Sequence, residues 1–322
     1  MAVTISPVAP EHLPQMAAMV ARRVAALRVA VPTVPPAFAD PAVAQAALAR
    51  MCTAHRGLVA LTTDGTVAGH LCWHDLDGFR RTTRRTAWIP EYGCVVEPAA
   101  AQPGAHVRDL LYRAAAQQWD ASSRQLLAVT QLVGEPDADE HWIENGFGRF
   151  LADGVRPCRP IGATLPLGVT VRPATHSDLA RLVQLDDEHC SHYGRPPVFM
   201  VPPQPATAAE LSALLAGDTV LWVAADGDGP QAFLRAELGA DSSCELLQGA
   251  DTLAVTGIYT RPAARGRGVG AALFDAALRH HAARGVPRTG FDYETINPTA
   301  RAFWPRLVTT VARSYMRALE RT

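Results

Sequence analysis

Residues 265–270 read Arg-Gly-Arg-Gly-Val-Gly, a combination suited to holding a phosphate group. Glycines let backbone N–H groups approach a ligand closely, and the two guanidinium groups add positive charge. The apolar run at 252–259 predicts a strand before this segment, and the apolar spacing at 271–278 predicts a helix after it. The segment would then lie at a helix N-terminus, where unpaired N–H groups and the helix dipole favour an anion. The pattern therefore predicts a pyrophosphate site.

Two other phosphate-binding patterns fit this segment less well. The P-loop pattern Gly-x-x-x-x-Gly-Lys-Ser/Thr is absent, and the chain contains no lysine. A dinucleotide pattern can be placed on Gly266, Gly268 and Ala271, with Asp292 downstream. That motif should open a unit that continues with further parallel strands, for which too little chain remains. A glycine turn with solvated arginines is the plainest alternative.

A second motif begins at Asn297, after a strand expected at 290–295, and reads Asn-Pro-Thr-Ala-Arg-Ala-Phe-Trp. Together the two segments resemble the Arg/Gln-x-x-Gly-x-Gly/Ala loop and the Asn-x-x-Ala-x-x-Φ-Tyr element of the GNAT superfamily of N-acetyltransferases. In that family the loop amides hold the pyrophosphate of acetyl-coenzyme A, and the Asn with the following helix lines the pantetheine arm. The resemblance implies acetyl-CoA as co-substrate, no metal, and an acyltransferase that acts on an amine of a small molecule.

The resemblance also implies which residues contact acetyl-CoA. They come from the strand before the loop, from the loop and helix start, and from the second motif. They are Ile258, Tyr259, Thr260, Arg265, Gly266, Arg267, Gly268, Val269, Gly270, Ala271, Asn297, Ala300 and Phe303.

Three segments of the chain recur in order at nearly constant offsets of 166, 164 and 162 residues. The recurring pairs begin at Val3 and Val169, at Gly93 and Gly257, and at Glu135 and Asn297. This repetition predicts two tandem domains, 1–160 and 166–322, joined by the Pro- and Gly-rich stretch at 156–162. We expect an α/β (α+β) fold in which each GNAT domain has a mixed, mostly antiparallel twisted sheet flanked by helices.

The first copy has lost the cofactor signals of the second. Residues 101–106 (Ala-Gln-Pro-Gly-Ala-His) stand opposite the arginine–glycine loop, and Pro103 has no N–H to donate. Glu135 stands opposite Asn297 and would repel a phosphate-bearing ligand. We therefore expect the first domain to be structural or to shape the substrate site, with a second weak cofactor site as the alternative.

The residues that would move protons are less clear. Trp304 stands where the family has a tyrosine, and an indole does not release its proton at neutral pH. Tyr259 and Tyr293 are candidates for the acid, although both could simply fill the core. Asp292, Glu294 and Glu237 are candidates for the base, and each could equally be a solvated carboxylate at a strand edge.

A His-Cys-Ser-His run at 189–192 suggests a metal at first sight, but these residues alone cannot close a zinc site. We expect a loop there that lines the acceptor pocket. The second loop-rich stretch, 194–205, holds five prolines and lies where family members shape that pocket.

Composition limits the remaining function classes. Hydrophobic residues make up 48% of the chain and charged residues 19%, with a net charge of −1, which predicts neither a nucleic-acid nor a membrane partner. The six cysteines are scattered without a Cys-x-x-Cys pair, and no secretion signal is evident. We expect a cytoplasmic protein of unknown oligomeric state. A non-catalytic acyl-CoA sensor is the alternative to the enzyme.

Overall fold

The computed structural model describes residues 3–52, 56–97, 104–135, 137–217, 220–241 and 243–320. The chain divides into two compact units. Unit 1 contains Met1–Asp153, Cys244–Leu246 and Thr310–Thr322. Unit 2 contains Gly154–Ser243 and Leu247–Thr309.

Unit 1 combines two groups of strands with four helices. Its helices are α1 (Leu13–Ala30), α2 (Pro41–Met51), α3 (Gly104–Ala121) and α4 (Ala138–Glu144). Its first strands are β1 (Thr4–Pro7), β2 (Gly57–Leu61), β3 (Val67–Cys72), β4 (His74–Leu76), β5 (Thr86–Ile89), β6 (Cys94–Val96) and β7 (Leu126–Leu132). Strands β1-β2-β3-β6 form an antiparallel sheet, while β4 pairs with β5 and β5 runs parallel to β7. Trp73, Trp119, Trp142 and Tyr315 lie buried in its core.

Unit 2 holds the segments that carry both motifs. Its helices are α5 (Leu179–Gly194), α6 (Ala208–Ala216), α7 (Val269–Ala282) and α8 (Pro298–Phe303). Its strands are β9 (Thr170–Pro173), β10 (Val220–Asp226), β11 (Gly229–Leu238), β12 (Thr252–Thr260) and β13 (Arg288–Glu294), in the order β9-β10-β11-β12-β13. The pairs are antiparallel except β12–β13, which is parallel. This mixed, mostly antiparallel sheet confirms the expected fold class.

The last strand of each half is not confined to the domain that the repeat predicted for it. Strand β14 (Thr309–Ala318) belongs almost wholly to unit 1, where seven register pairs from Ala312↔Leu132 to Ala318↔Leu126 join it to β7. Strand β8 (Gly148–Pro157) crosses into unit 2 at Gly154 and lies beside β13. The compact units therefore differ from the expected division into 1–160 and 166–322. Strand pairing over long sequence separations is not visible in local sequence.

Glycine positions and loop-rich stretches account for several local features. Hairpin turns at Gly65 and Gly229 use positive φ values of 83° and 91°, which glycine adopts without strain. No helix or strand occupies 195–205. The linker after β8 lies along α7, because the N–H groups of Ile161 and Gly162 both donate to the buried Asp275 carboxylate, at 2.5 and 3.0 Å. Within the described part of the chain, no helix combines the length and apolar character needed to cross a bilayer.

Candidate active site

The arginine–glycine loop joins the end of β12 to the start of α7, as expected. Gly266 and Gly268 have φ values of +75° and +86°, and Gly268 is the N-cap of the helix. The first backbone bond of the helix is from Ala272 N to Gly268 O, at 3.0 Å. Among the described residues, no backbone carbonyl accepts from the N–H groups of residues 266–271. These amides therefore form an unpaired donor cluster at a helix N-terminus, the arrangement that binds phosphate groups.

Strands β12 and β13 separate beside this loop. Their parallel register contains Thr252↔Arg288 and Leu253↔Thr289. Among the described residues, no further pair joins β12 to β13. Parallel neighbours normally keep pairing at about 4.8 Å separation, so the two strands open a gap toward their C-terminal ends. Residues 255–260 of β12 and 291–294 of β13 line that gap.

The gap is part of a cavity of about 560 Å³ within unit 2. All but one of the expected cofactor residues line it, and so do the carboxylates on β13. The lining residues that were expected are Ile258, Tyr259, Thr260, Arg265, Gly266, Gly268, Val269, Gly270, Ala271, Asn297, Ala300, Phe303, Asp292, Tyr293 and Glu294. The exposed Arg267 and the strand residue Glu237 are not among them.

Arg265 is held at the edge of the cavity by two contacts. Its Nε donates to the Thr260 carbonyl at 2.8 Å. Its guanidinium carbon lies 5.6 Å from the centre of the Tyr259 ring, within the range of a cation–π contact. These two contacts therefore fix the position of the guanidinium group among the residues that line the cavity.

Asn297 begins α8 and closes the other side of the cavity. Its side-chain oxygen accepts from Thr299 N at 3.1 Å, which satisfies one of the unpaired donors of the helix. Burial lowers the pKa of His192, and Arg265 and Arg195 lower it further, whereas Asn297 raises it.

Glu237 has a different role from the one expected. At the register shift between Arg235 and Ala236, Thr256 is left unpaired as a bulge in β12. The Thr256 hydroxyl donates to Glu237 Oε1 at 3.2 Å and accepts from Arg235 Nε at 2.9 Å. The carboxylate of Glu237 therefore supports the bulge instead of facing the cavity, which corrects its placement as a candidate base.

The remaining proton-transfer candidates lie together. Asp292 and Glu294 are two residues apart on β13, so their half-buried side chains share one face. Tyr193 OH lies 3.5 Å from Glu294 Oε2. Tyr259 is buried, and burial followed by the charge of Glu188 raises its pKa, so it keeps its proton at neutral pH.

Helix α5 supplies three of the residues that line the cavity, His189, His192 and Tyr193. The two histidines were expected to line a pocket, but as part of a loop. The structure places His189 and His192 in this helix, so the expected loop at 189–192 was wrong. Tyr193, one turn after His189, was not predicted at all; the rings of these two residues lie 5.4 Å apart. The signal was the i, i+3, i+4 spacing of the three side chains, which places them on one helix face.

The same helix brings three potential metal ligands together. One ligand atom each from Asp186, His189 and Cys190 lies within 4.8 Å of the others. However, Asp186 Oδ2 accepts from Ala206 N at 2.7 Å, and the Cys190 thiol lies 3.9 Å from the same oxygen. The carboxylate therefore fastens the segment that precedes α6.

Trp304 is buried at the end of α8. Its ring packs edge-on against Phe291 and Phe274, with centroids 4.5 and 5.3 Å away. The largely buried indole thus forms part of the cavity wall, and its chemistry gives no acid at the position where the family has tyrosine.

In unit 1 the position opposite Asn297 is occupied by an ion pair. Glu135 lies 2.9 Å from Arg108, and both side chains are almost fully buried. Residues 101–103, part of the stretch opposite the arginine–glycine loop, lie outside the described residues. The negative charge expected to repel a ligand is therefore already paired within the chain.

The comparisons with known proteins agree with this geometry. Residues 185–307 match the sequence profile of the acetyltransferase (GNAT) family. A GCN5-related N-acetyltransferase from Sphaerobacter thermophilus aligns with a TM-score of 0.54 and 14% identity, over 98% of this chain and 95% of its own. The glucosamine N-acetyltransferase region of a fungal multi-domain GH3 β-N-acetylglucosaminidase gives 0.52 and 14%, over 98% of this chain and 38% of that protein. A tandem GNAT protein from the clavulanic acid biosynthesis pathway gives 0.47 and 14% over the full length of both chains. No curated protein sequence matches the chain.

Identities of 14% show the fold and nothing finer. The chain thus has the fold of GCN5-related N-acetyltransferases over nearly its whole length. Within it, residues 185–307 match the model of the acetyltransferase (GNAT) family, in agreement with the resemblance carried by the two motifs. The recurring segments place a second, altered copy of the same architecture in the first half.

Proposed function

We propose that unit 2 binds acetyl-CoA and transfers the acetyl group to an amine of a small molecule. The observation that carries the proposal is the row of N–H groups at residues 266–271. All of these residues except Arg267 line a cavity, and among the described residues no backbone carbonyl accepts from the six N–H groups. Donors of this kind at a helix N-terminus suit a diphosphate, and Arg265 adds a full positive charge beside them.

The gap between β12 and β13 suits the rest of the ligand. Acetyl-CoA supplies an acetyl group activated as a thioester. In the separated part of β12, one edge pairs with β11, whereas the edge toward β13 has no register partner near Ile258. Backbone N–H groups on that open edge would bind the pantetheine arm and the acetyl carbonyl. Backbone donors aimed at a carbonyl oxygen stabilise the negative charge that develops during acyl transfer.

The acceptor amine must lose a proton before or during the transfer. Asp292 and Glu294 line the cavity and offer carboxylates that can take this proton directly or through a water. Tyr193 is positioned against Glu294 by the 3.5 Å contact, and the protonated Tyr259 is a donor for the leaving thiolate. The cavity therefore has groups suited to both proton transfers.

Calorimetric titration with acetyl-CoA tests the binding part of the proposal. We expect Arg265→Ala to weaken binding roughly 10- to 100-fold, the effect of losing a charged hydrogen-bond partner. Arg284→Ala is the matched control, because Arg284 lies beyond the opposite end of α7 and bonds to His280 O. Equal loss in both variants, or none in Arg265→Ala, would contradict the site.

A non-catalytic acyl-CoA sensor is a second candidate, favoured by the buried Trp304 where the family has a tyrosine. Thiol release from acetyl-CoA with a panel of amines separates the two functions. Turnover beyond one equivalent with any amine, lost in Glu294→Gln at unchanged cofactor affinity, supports the enzyme. Tight binding without turnover across the panel supports the sensor.

A further inference from the structure

Unit 1 contains a pair of thiols outside the proposed active site. Cys52 follows the last residue of α2 and caps it, with its N–H donating to Leu48 O at 2.8 Å. Cys72 is the last residue of β3 and is fully buried. Their Sγ atoms lie 3.3 Å apart in a thiol–thiol hydrogen bond. The Cys52 thiol is only half-buried, so one member of the pair is accessible from solvent.

The neighbouring backbone leaves room for both sulfurs. Gly57 is the register partner of Cys72 in the β2–β3 ladder. A Cβ atom at Gly57 would lie 2.9 Å from Cys72 Sγ and 3.3 Å from Cys52 Sγ. Both distances are tighter than ordinary contacts, so a side chain at this position would displace the thiols. The glycine therefore keeps open the space in which the two sulfurs meet.

We infer that Cys52 and Cys72 form an oxidisable dithiol that hydrogen peroxide converts to an intramolecular disulfide. Cys52, as thiolate, attacks a peroxide oxygen; the O–O bond breaks, and the products are the Cys52 sulfenic acid and hydroxide. The Cys72 sulfur then attacks the Cys52 sulfur, the S–O bond breaks, and water leaves with the Cys72 proton. Two thiols are oxidised and one peroxide is reduced to two waters.

The order of attack follows from the surroundings of each sulfur. The hydrogen bond with Cys72 lowers the pKa of Cys52, although burial partly offsets this effect. Burial raises the pKa of Cys72 well above its ordinary value, and Cys52 raises it further. A disulfide has an S–S length of about 2.0 Å, so closing the 3.3 Å gap needs the sulfurs to approach by about 1.3 Å. Rotation of the half-buried Cys52 side chain can provide that movement.

Peptide mass spectrometry of the full-length protein tests the inference. The protein is treated with stoichiometric hydrogen peroxide, blocked with N-ethylmaleimide under denaturing conditions, and cleaved after arginine. We expect peptides 51–56 and 57–80 to appear cross-linked, with a loss of two hydrogens, and to separate after reduction. The free thiols should fall from the six of the chain to four.

Variants show whether the pairing is specific. Cys52→Ser should remove the cross-link and leave Cys72 unoxidised. Cys94→Ser is the matched control, because Cys94 is also buried in this sheet, and its variant should form the cross-link as wild type does. The inference is overturned if Cys52 oxidises only to sulfinic acid, if Cys72 pairs with Cys94, or if no cross-link forms while other thiols react.

Discussion

The conformation of Gly268 gives the sharpest test of the proposed diphosphate site. Its φ of +86° lies in the left-handed region, where an L-residue is strained by about 1–2 kcal/mol. The nearest heavy atom to an added Cβ is Thr164 O at 3.8 Å, an ordinary contact. Gly268→Ala therefore introduces backbone strain without a steric clash, and any effect reports on the loop conformation alone.

The strain must appear in one of two measurements. If the free protein keeps the loop conformation, the strain lowers the free energy of unfolding by up to about 2 kcal/mol. Alanine also reduces the conformational entropy of the unfolded chain, which raises the free energy of unfolding by roughly 0.4–1 kcal/mol and offsets part of this loss. If the free loop relaxes instead, acetyl-CoA must restore it, and the Kd rises by about 5- to 30-fold at 1.4 kcal/mol per tenfold. Once the effect of alanine on the unfolded chain is added back, the two losses together should come to about 1–2 kcal/mol.

Gly270→Ala is the matched control in the same loop. Gly270 is the second residue of α7 and does not have a positive φ, and an added Cβ would lie 3.5 Å from Phe303 Cζ in ordinary contact. We expect equal or slightly greater stability, since alanine favours a helix more than glycine does, and a Kd within about threefold of wild type. Calorimetry and urea unfolding measure both quantities. Unchanged binding and stability in Gly268→Ala, or weaker binding in Gly270→Ala than in Gly268→Ala, would refute the reasoning.

Three further predictions concern stability. Tyr315→Ala should destabilise unit 1 by about 3–5 kcal/mol, although the residue lies near the chain end, because its ring is fully buried in that core; urea unfolding followed by tryptophan fluorescence measures it. Gly154→Ala should cost about 1–3 kcal/mol by overpacking, since its Cβ would lie 2.4 Å from Val308 Cγ2; a thermal midpoint equal to wild type would contradict this. Burial lowers the pKa of His70 to about 4 from 6.5, so the unfolded state binds the proton first and stability falls by up to about 3 kcal/mol as the pH drops from 6.5 to 4. His70→Gln should flatten that part of the stability–pH curve.

The sequence predicted the part of the site that local patterns determine. The strand, the glycine turn and the helix around Gly268 follow from apolar spacing and from glycine's access to positive φ, and they lie in the structure within a few residues of the predicted bounds. A helix after Asn297 was expected from the resemblance of 297–304 to the family's second motif, and in the structure the Asn297 side chain caps that helix. Both motifs consist of residues close in sequence, so the resemblance could indicate the cofactor residues without a structure.

The features that sequence did not predict depend on long-range contacts. His189 lies in a stretch of polar residues with little apolar periodicity, and its place in α5 follows from packing against Phe233 and Tyr259. Glu237 was misplaced because a one-residue register shift near Arg235 decides what its carboxylate meets. The pairing of β14 with β7 joins segments more than 170 residues apart, as Ala312↔Leu132 shows, and neither strand carries a local mark of its partner.

The two halves differ in which charges are already paired. In unit 1, the buried Arg108 and the buried Glu135 form an ion pair, with Nη2 and Oε1 2.9 Å apart, so a cation and an anion from the chain itself meet there. Removing one member of such a pair typically costs about 3–5 kcal/mol, so an incoming anion would have to replace Glu135 at comparable cost. In unit 2, the N–H groups around Gly268 meet no backbone acceptor among the described residues, and Arg265 is aligned beside them. Binding an anion there breaks no existing backbone bond of the loop. This difference, and not the shared architecture, is why we propose the acetyl-CoA site in unit 2.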